Sequence, residues 1–252
     1  MRHLMLANVE VGLTPCPFTD ILDVMRETGF PGLRITGFDG FLQHYDLTVG
    51  QLHRELSRRD LEVATISWNG PLHDPSQRVK VLDSARKTMK FLAGFGANHL
   101  VVFPPARDSA SADPPEVLRE IGARSNQIGE LAGKMGFTAG LHNHLGAMVQ
   151  TQEEVDQFMS MTAPKRFGLS PDTAHLHLVG GDVVGTFERY KHRICFLDYK
   201  DAKWTNLTQD WIEPNGEVVP KASPSAKFLA SIYDLGDGKV PTCGLRAGAA
   251  SE

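Results

Sequence analysis

A repeated sequence pattern constrains the fold of this chain more than any other feature. The pattern is a short apolar run, a loop, a segment with apolar residues at helical spacing, then the next apolar run. Such alternation is typical of parallel strands joined by crossover helices. Seven runs are predicted as strands: Leu4–Val9, Gly32–Thr36, Glu62–Trp68, Asn98–Phe103, Thr138–His142, Arg166–Leu169 and Ile194–Tyr199. Helices are predicted at Thr19–Thr28, Thr48–Arg58, Ser76–Phe95, Pro115–Met135, Gln152–Met161 and Asp182–His192.

Helix boundaries agree with this pattern. Thr151 precedes Glu153 and Glu154, which predicts an N-cap followed by first-turn acids. Three glycines mark predicted helix ends: Gly29, Gly96 and Gly136.

The repeated strand–helix pattern ends after Tyr199. Residues 200–240 form a long polar stretch with one short helix predicted at Ala226–Tyr233, and residues 241–252 contain no apolar run. No eighth strand is visible, and no Pro/Ser-rich linker divides the first 200 residues. We therefore predict one α/β domain over residues 1–252, a (β/α)8 TIM barrel whose last β/α unit is truncated or replaced.

Composition narrows the functional classes. Hydrophobic residues at 41% and charged residues at 22% fit a soluble globular protein, and a net charge of −4 offers no field to attract nucleic acid. Cys16, Cys195 and Cys243 form no paired motif, which favours a reducing compartment over a disulfide scaffold. The apolar stretch within Met1–Val11 is too short for a secretory or membrane segment, so we expect a cytoplasmic protein without membrane partners.

In a parallel barrel the active site lies at the carboxyl ends of the strands. The fifth predicted strand ends in His142 and His144, and residues two apart on a strand point the same way. Both imidazoles are therefore candidates to face the barrel axis and to bind a metal or a substrate hydroxyl. The alternative is a pair of hydrogen-bonded polar residues without function.

The next two strand ends also carry titratable groups. Asp172 and His175 follow strand six, and Asp198 and Lys200 share one face of strand seven just before Asp201. A carboxylate is a hard oxygen ligand, while His and Lys serve in acid/base chemistry. The alternatives are a helix-capping Asp172 with a loop histidine, and a surface ion pair of Lys200 with Asp201.

Further residues are candidates for substrate binding. Trp68 and Asn69 end strand three, where an aromatic face suits the C–H side of a sugar ring. Arg34 lies within strand two, where it either binds an anionic group or closes an ion pair inside the barrel.

With these residues placed, the chain resembles the xylose isomerase-like TIM barrel superfamily of sugar phosphate isomerases and epimerases, and its motifs are similar to those of inosose dehydratases. The resemblance covers roughly residues 5–240. The motifs that carry it are H-N-H-L-G-A-M-V-Q-T-Q-E-E-V-D at 142–156, P-D-T-A-H at 171–175, G-G-D at 180–182, Y-K-D at 199–201 and L-G-D-G-K-V at 235–240.

The resemblance implies one divalent ion, with Mn, Mg, Fe or Zn compatible, bound by His142, Asp172 and Asp198, and it gives His175 a substrate contact. The chain departs from the family pattern in having Asp198 where a histidine is usual and His142 where glutamate is frequent. A second departure follows Val240, where the family's strand-eight acid has no counterpart. One ligand is thus missing from the expected set.

The expected function is that of a metal-dependent isomerase or epimerase acting on a ketose or cyclitol. A metal that polarises the carbonyl acidifies the neighbouring C–H, and a base such as His144, His175 or Lys200 removes that proton to give an enediolate. An inosose dehydratase-like lyase uses the same intermediate, so the sequence leaves both open. The other alternative is a non-catalytic or partner-dependent barrel, and a homo-oligomer is compatible with it. A DNA-repair endonuclease would need more metal ligands and a basic groove, so the ligand count and the net charge of this chain oppose that function.

Overall fold

The computed structural model describes residues 7–9, 16–107, 114–212 and 218–241. Six parallel strands form one sheet in the order of the chain: β1 Ala7–Val9, β2 Gly32–Thr36, β3 Glu62–Asn69, β4 His99–Phe103, β5 Thr138–Leu141 and β6 Gly168–Leu169. Nine helices lie among the described residues: α1 Phe18–Thr28, α2 Phe38–His44, α3 Val49–Ser57, α4 Arg78–Gly94, α5 Pro114–Lys134, α6 Gln152–Met161, α7 Thr173–Leu178, α8 Val183–Tyr190 and α9 Pro224–Leu229. The remaining short strands are β7 Asp201–Ala202, β8 Trp211–Ile212, β9 Val218–Val219 and β10 Ile232–Tyr233.

The α/β barrel prediction is confirmed in its repeating unit. Each strand from β1 to β5 leads into at least one helix and then into the neighbouring parallel strand. The main core lies between the sheet and the helices, and Ile66, Leu100 and Leu141 on adjacent strands are almost fully buried in it. Burial of this apolar layer holds the strand ends, and hence the residues that follow them, in fixed positions.

The predicted helix boundaries are confirmed by their chemistry. Thr151 forms a capping box with Glu154, and Thr48 forms another with Gln51. Gly29, Gly96 and Gly136 have φ values of +78°, +76° and +78°, in the left-handed region that glycine adopts most easily.

The predicted strand Ile194–Tyr199 is wrong as a regular strand. Its residues run parallel to the end of β6, but only two isolated bridges form, Leu169 with Ile194 and Asp172 with Asp198. The ladder is interrupted because Pro171 has no N–H to donate, and the two bridges are one residue out of step. Asp198 still donates its backbone N–H to the carbonyl of Pro171 at 2.9 Å, which keeps it beside Asp172.

The chain after residue 200 differs from the predicted loop and helix. The predicted helix Ala226–Tyr233 is wrong at its end, because α9 stops at Leu229 and β10 then pairs antiparallel with β7. Strands β8 and β9 form an antiparallel pair of their own. Within the described residues no further strand extends the parallel sheet beyond the 194–198 segment.

A small second core lies against the C-terminal segment. It joins α7, α8 and β7 to Val240, with Phe228 and Ile232 packed against it. Sequence analysis missed α7, a helix of six residues, and α2, a helix of seven. None of the described helices combines the length and the apolar content needed to cross a membrane.

Candidate functional site

Three strand ends bring the central residues together. His142 directly follows β5, and its backbone N–H donates to the carbonyl of Val102 at 2.9 Å. Asp172 follows β6, and Asp198 lies opposite it in the bridged segment. All three side chains are buried, with relative exposures of 1% for His142, 0% for Asp172 and 7% for Asp198.

These three residues each offer one ligand atom within 4.8 Å of the others. His142 Nδ1 lies 2.8 Å from Asp198 Oδ2, and these two buried atoms have no other hydrogen-bond partner among the described residues. Two atoms that bind one ion at about 2 Å each come to lie about 3 Å apart, which is the kind of approach seen here.

Asp172 uses its two oxygens differently. Oδ1 accepts the backbone N–H of His175 at 3.0 Å and so caps α7, while Oδ2 accepts from Lys200 Nζ at 2.7 Å. The capping role that sequence analysis considered as the alternative therefore coexists with a second oxygen turned to the cluster. Burial acts to raise the pKa of Asp172, but Lys200, His175 and His142 outweigh it and the pKa is lowered.

Asp172 is also held through its backbone. Asn143 accepts the N–H of Asp172 at 2.9 Å through Oδ1 and donates from Nδ2 to its carbonyl at 3.3 Å. Thr173 then accepts the backbone N–H of Lys200 at 2.8 Å and donates to its carbonyl at 2.6 Å. These two side chains fix the strand ends relative to one another.

Asp198 is paired with Arg34. The guanidinium donates from Nη1 to Asp198 Oδ1, and its Nε donates to Ser67 Oγ at 2.8 Å. Burial acts to raise the pKa of Asp198, but His142 and then Arg34 outweigh it, so the carboxyl stays ionised. For Lys200, burial acts to lower the pKa, and the carboxylates of Asp172 and Asp198 raise it overall.

The peptide groups of one residue orient two further histidines. His144 Nδ1 lies 2.7 Å from the carbonyl of Leu145, and because a carbonyl only accepts, Nδ1 carries the proton and Nε2 keeps its lone pair. His175 Nδ1 accepts the N–H of Leu145 at 3.1 Å, so the proton of that ring is on Nε2. Leu145 thus makes His144 Nε2 an acceptor and His175 Nε2 a donor.

Both rings are neutral near pH 7. Burial, followed by the nearby His142, lowers the pKa of His144 to about 4. Burial also lowers the pKa of His175 well below its usual range, against the raising effect of Asp172. Neutral imidazoles retain the tautomers that Leu145 imposes.

The tautomers distinguish two possible metal sites. Besides His142, Asp172 and Asp198, the ring nitrogens of His142, His144 and His175 also lie within 4.8 Å of one another. A metal bound by His175 Nε2 would move the ring proton to Nδ1, where it would face the N–H of Leu145. The set with two carboxylates needs no such change and is the better donor set.

A cavity of about 470 Å³ opens beside the histidines. The loops after β4 and β5 form it, and they are tied together because Arg107 donates its backbone N–H to Gly146 at 2.8 Å and Met148 donates to Pro105 at 2.9 Å. The lining includes Asn69 and His144 together with apolar residues, Phe103, Pro104 and Pro105 among them. Phe228 of α9 stacks on His175, with ring centroids 4.4 Å apart and planes 5° apart.

The predicted substrate-binding residues separate in the structure. Asn69 lines the cavity, whereas the indole of Trp68 is 4% exposed, donates to Ser84 Oγ on α4 at 3.1 Å and does not line that cavity. Neighbouring residues on a strand face opposite sides, so Trp68 faces the helices when Asn69 faces the cavity. Arg34 is committed to its ion pair with Asp198, the second of the two roles considered for it.

Sequence analysis missed four residues that organise this site: Asn143, Leu145, Thr173 and Phe228. Asn143 lies between the two predicted histidines and Thr173 follows Asp172, so proximity to candidates was an available signal. Leu145 acts through its peptide groups, and no side-chain pattern reveals that. Phe228 is 30 or more residues away in sequence from every other member of the cluster except Lys200, and only the fold brings it there.

The family model described as xylose isomerase-like TIM barrel matches residues 22–210. The chain belongs to this family. Its curated relatives include the rhizopine catabolism protein MocC of Rhizobium meliloti, 30% identical over 74% of this chain and 58% of the relative. They also include an inosose dehydratase of Lactiplantibacillus plantarum, 26% identical over 69% of this chain and 59% of the relative. The chain therefore spans less than two thirds of the length of both.

Two solved structures share this fold. The probable 3-DHS dehydratase AsbF of Bacillus anthracis has a TM-score of 0.73 at 19% identity, covering 97% of this chain and 88% of that one. The IolI protein with a bound zinc atom has a TM-score of 0.73 at 14% identity, covering 97% of this chain and 84% of that one. At such identities the likeness concerns the fold.

Proposed function

We propose that this protein is an enzyme that removes the proton next to the carbonyl group of a keto-cyclitol or ketose, with one divalent ion bound by His142, Asp172 and Asp198. The observation that carries the proposal is the convergence of these three buried side chains near His144, which itself lines the cavity. Inosose dehydratases among the relatives support a cyclitol as the substrate.

The donor set fits a divalent ion. One imidazole and two carboxylates suit Mn, Fe, Zn or Mg, and the zinc atom of the IolI structure supports an ion in this fold. The 2.8 Å approach of the buried atoms His142 Nδ1 and Asp198 Oδ2 supports it further. When bound, the ion supplies Lewis acidity toward the substrate oxygens.

His144 is the proposed base. Its Nε2 lone pair accepts the proton from the substrate carbon, and the ring holds that proton while the negative charge is delocalised onto the substrate oxygens. Return of the proton to the neighbouring carbon gives the isomer, whereas an epimer requires protonation of the original carbon from its opposite face. Transfer of the same proton to a departing hydroxyl releases water and gives the dehydrated product, so one base serves both balanced reactions.

His175 and Lys200 have complementary roles in this proposal. His175 Nε2–H is directed to donate to a substrate oxygen, because Leu145 holds its other nitrogen. Lys200, whose side chain is 36% exposed, places an ammonium beside Asp172 where negative charge would develop. Phe228 excludes water from one face of His175.

One observation favours a second function, that of a non-catalytic or partner-dependent barrel. Both carboxylates already have cationic partners, Lys200 for Asp172 and Arg34 for Asp198. Among the described residues only these two carboxylates and His142 form the proposed set, so the family's fourth ligand has no counterpart there.

Proton exchange with solvent tests the proposal. The protein is loaded with Mn²⁺ and incubated in heavy water with inososes and ketoses, and NMR follows deuterium at the carbon next to the carbonyl. We expect incorporation with wild-type protein, its loss in His144→Gln, and wild-type behaviour in the exposed control His192→Gln. If no substrate exchanges, and Asp172→Ala binds Mn²⁺ as tightly as wild type, the catalytic proposal is wrong and the non-catalytic function is favoured.

A further inference from the structure

We infer that Asp201 is a positioning residue of this site: its carboxylate fastens the turn at residues 236–240 and thereby holds Phe228 against His175. The expected effect of Asp201 on the reaction rests on the proposed function. Its effect on the turn and on Phe228 can be tested without that function. Asp201 is 2% exposed and has no cationic partner among the described side chains. Its partners are backbone N–H groups.

Four backbone donors converge on this carboxylate. Oδ1 accepts from Ala202 at 2.8 Å and from Val240 at 2.9 Å. Oδ2 accepts from Gly236 at 2.9 Å and from Gly238 at 3.1 Å. Three of these donors come from residues 35 or more positions away, so the carboxylate closes a long loop.

The turn is shaped to fit the carboxylate. Gly236 has φ +108°, a conformation that side chains rarely adopt. A Cβ at Gly238 would lie 2.1 Å from Asp201 Oδ1 and 2.6 Å from the backbone nitrogen of Ala202. No side chain fits at Gly238 while Asp201 keeps this position.

The turn is coupled to α9 by packing and pairing. Val240 lies in the second core, against which Phe228 and Ile232 pack, together with Ala174 of α7. Lys203 donates its N–H to the carbonyl of Ser231 at 3.0 Å, which fixes the end of α9 beside β7. Release of the turn therefore loosens the core that presses Phe228 onto His175.

Asp201→Asn is the first test. The amide keeps one acceptor oxygen, but its NH2 group faces two backbone N–H donors, so at least two hydrogen bonds are lost at constant shape. Gly238→Ala disturbs the same contact from the other side, because its Cβ displaces the carboxylate without changing its chemistry. Asp237→Asn, an exposed acid in the same turn, is the matched control for charge.

Two measurements on the full chain need no activity. Hydrogen exchange of residues 236–240 is expected to accelerate on the order of tenfold or more in Asp201→Asn, in line with the loss of buried hydrogen bonds. NMR of the His175 ring protons reports the ring current of Phe228, with Phe228→Leu as the reference for its loss. In Asp201→Asn and Gly238→Ala we expect these resonances to move toward the Phe228→Leu values, and in Asp237→Asn to stay at wild-type values.

The outcomes separate the two proposals. Faster exchange in the turn with unchanged His175 resonances would make Asp201 a local structural residue and overturn the inference. If Asp201→Asn fails to fold, Gly238→Ala decides by the same two readouts. Where the wild type catalyses proton exchange, kcat is expected to fall about tenfold in Asp201→Asn. An inactive wild type with the expected NMR shifts would count against the proposed function alone.

Discussion

At the scale of residues, the site depends on single residues whose polar atoms bond to different partners. Asp172 directs one oxygen to the cap of α7 and the other to Lys200, and Leu145 donates to one histidine while accepting from another. An amide at position 172 would supply one acceptor where the structure uses two. Such residues respond to substitution more sharply than their size suggests.

Lys200→Met is predicted to tighten binding of Mn²⁺. In the structure the Lys200 ammonium lies 2.7 Å from the Asp172 oxygen that an ion would use, and like charges repel strongly in a buried setting. Removing the ammonium is expected to lower the Kd about tenfold or more in isothermal titration calorimetry. Lys80→Met, at an exposed position of α4, is the control, and equal Kd values for both variants would contradict the ligand role of Asp172.

Asn143→Ala is predicted to weaken metal binding without touching a ligand. The substitution removes both side-chain hydrogen bonds to the backbone of Asp172 and leaves buried groups unpaired. We expect a Kd roughly 10- to 100-fold higher, by analogy with other groups that orient ligands, and a loss of about 1–3 kcal/mol in the free energy of unfolding.

The comparison for this variant is Asn98→Ala, which lies in the turn before β4. Denaturant unfolding and calorimetry would be run on both proteins. A variant at Asn143 that loses stability but keeps its Kd would show that Asn143 supports the fold and not the ligand geometry.

The strand-end rule predicted His142, Asp172 and Asp198 correctly as neighbours, because parallel strands place their carboxyl ends together. Their role as metal ligands stays a prediction. The sequence did not show which face of β3 is interior: in the structure Arg34 bonds to Ser67, so the face shared by Ser67 and Asn69 is the interior one. Alternation then directs Trp68 outward.

At the scale of elements, long amphipathic helices and apolar strands were predictable to within one or two residues, apart from the predicted strand Leu4–Val9, whose first three residues lie outside the described residues. The irregular 194–198 segment was not predictable. Its own apolar composition does not show that Pro171, on the neighbouring segment after β6, lacks an N–H to donate. Helix α7 was not predicted, because six residues are too few to show a helical repeat of apolar residues. Its N-cap, Asp172, was nevertheless among the candidate site residues.

Acid is predicted to loosen the C-terminal elements. Burial acts to raise the pKa of Asp201, but the backbone donors, Val240 first, lower it below its normal value of 3.8. A lowered pKa in the folded state means that the stabilisation is present above about pH 4 and is lost as the pH falls below it. Urea unfolding of the wild type at pH 6 and pH 3 should show this loss.

In Asp201→Asn the pH dependence should be weaker, since the titrating group is gone, and the remaining slope should come from Asp172 and Asp198, whose pKa values are lowered too. Asp237→Asn should retain the wild-type slope. A slope in Asp201→Asn that matches the wild type would show that the Asp201 carboxylate does not stabilise the fold.

At the scale of the whole molecule, the described sheet has β1 at one side and the 194–198 segment at the other. A sheet edge carries unpaired backbone groups that favour pairing with another chain. We predict low thermal stability and self-association for this chain, measured by calorimetry and by light scattering over a range of concentrations. A monomer at all concentrations with a Tm above about 65 °C, beyond the usual mesophile range, would contradict this.

The matched comparison adds a family-like eighth strand and helix after Val240. If the edge matters, the extended chain is expected to melt at a higher temperature and to remain monomeric. No change in either quantity would mean that this sheet edge limits neither the stability nor the oligomeric state of the protein.

The peptide groups of Leu145 have a consequence for how this site varies and how it can be redesigned. Nineteen of the twenty amino acids carry the same backbone N–H, so position 145 tolerates wide substitution while the proton positions on both rings are kept. Proline alone would remove the donor and free His175 to exchange tautomers. The tautomers of both histidines thus depend on the backbone conformation at position 145 and not on which side chain is there. Redesign of this loop should therefore preserve its backbone conformation first and its side chains second.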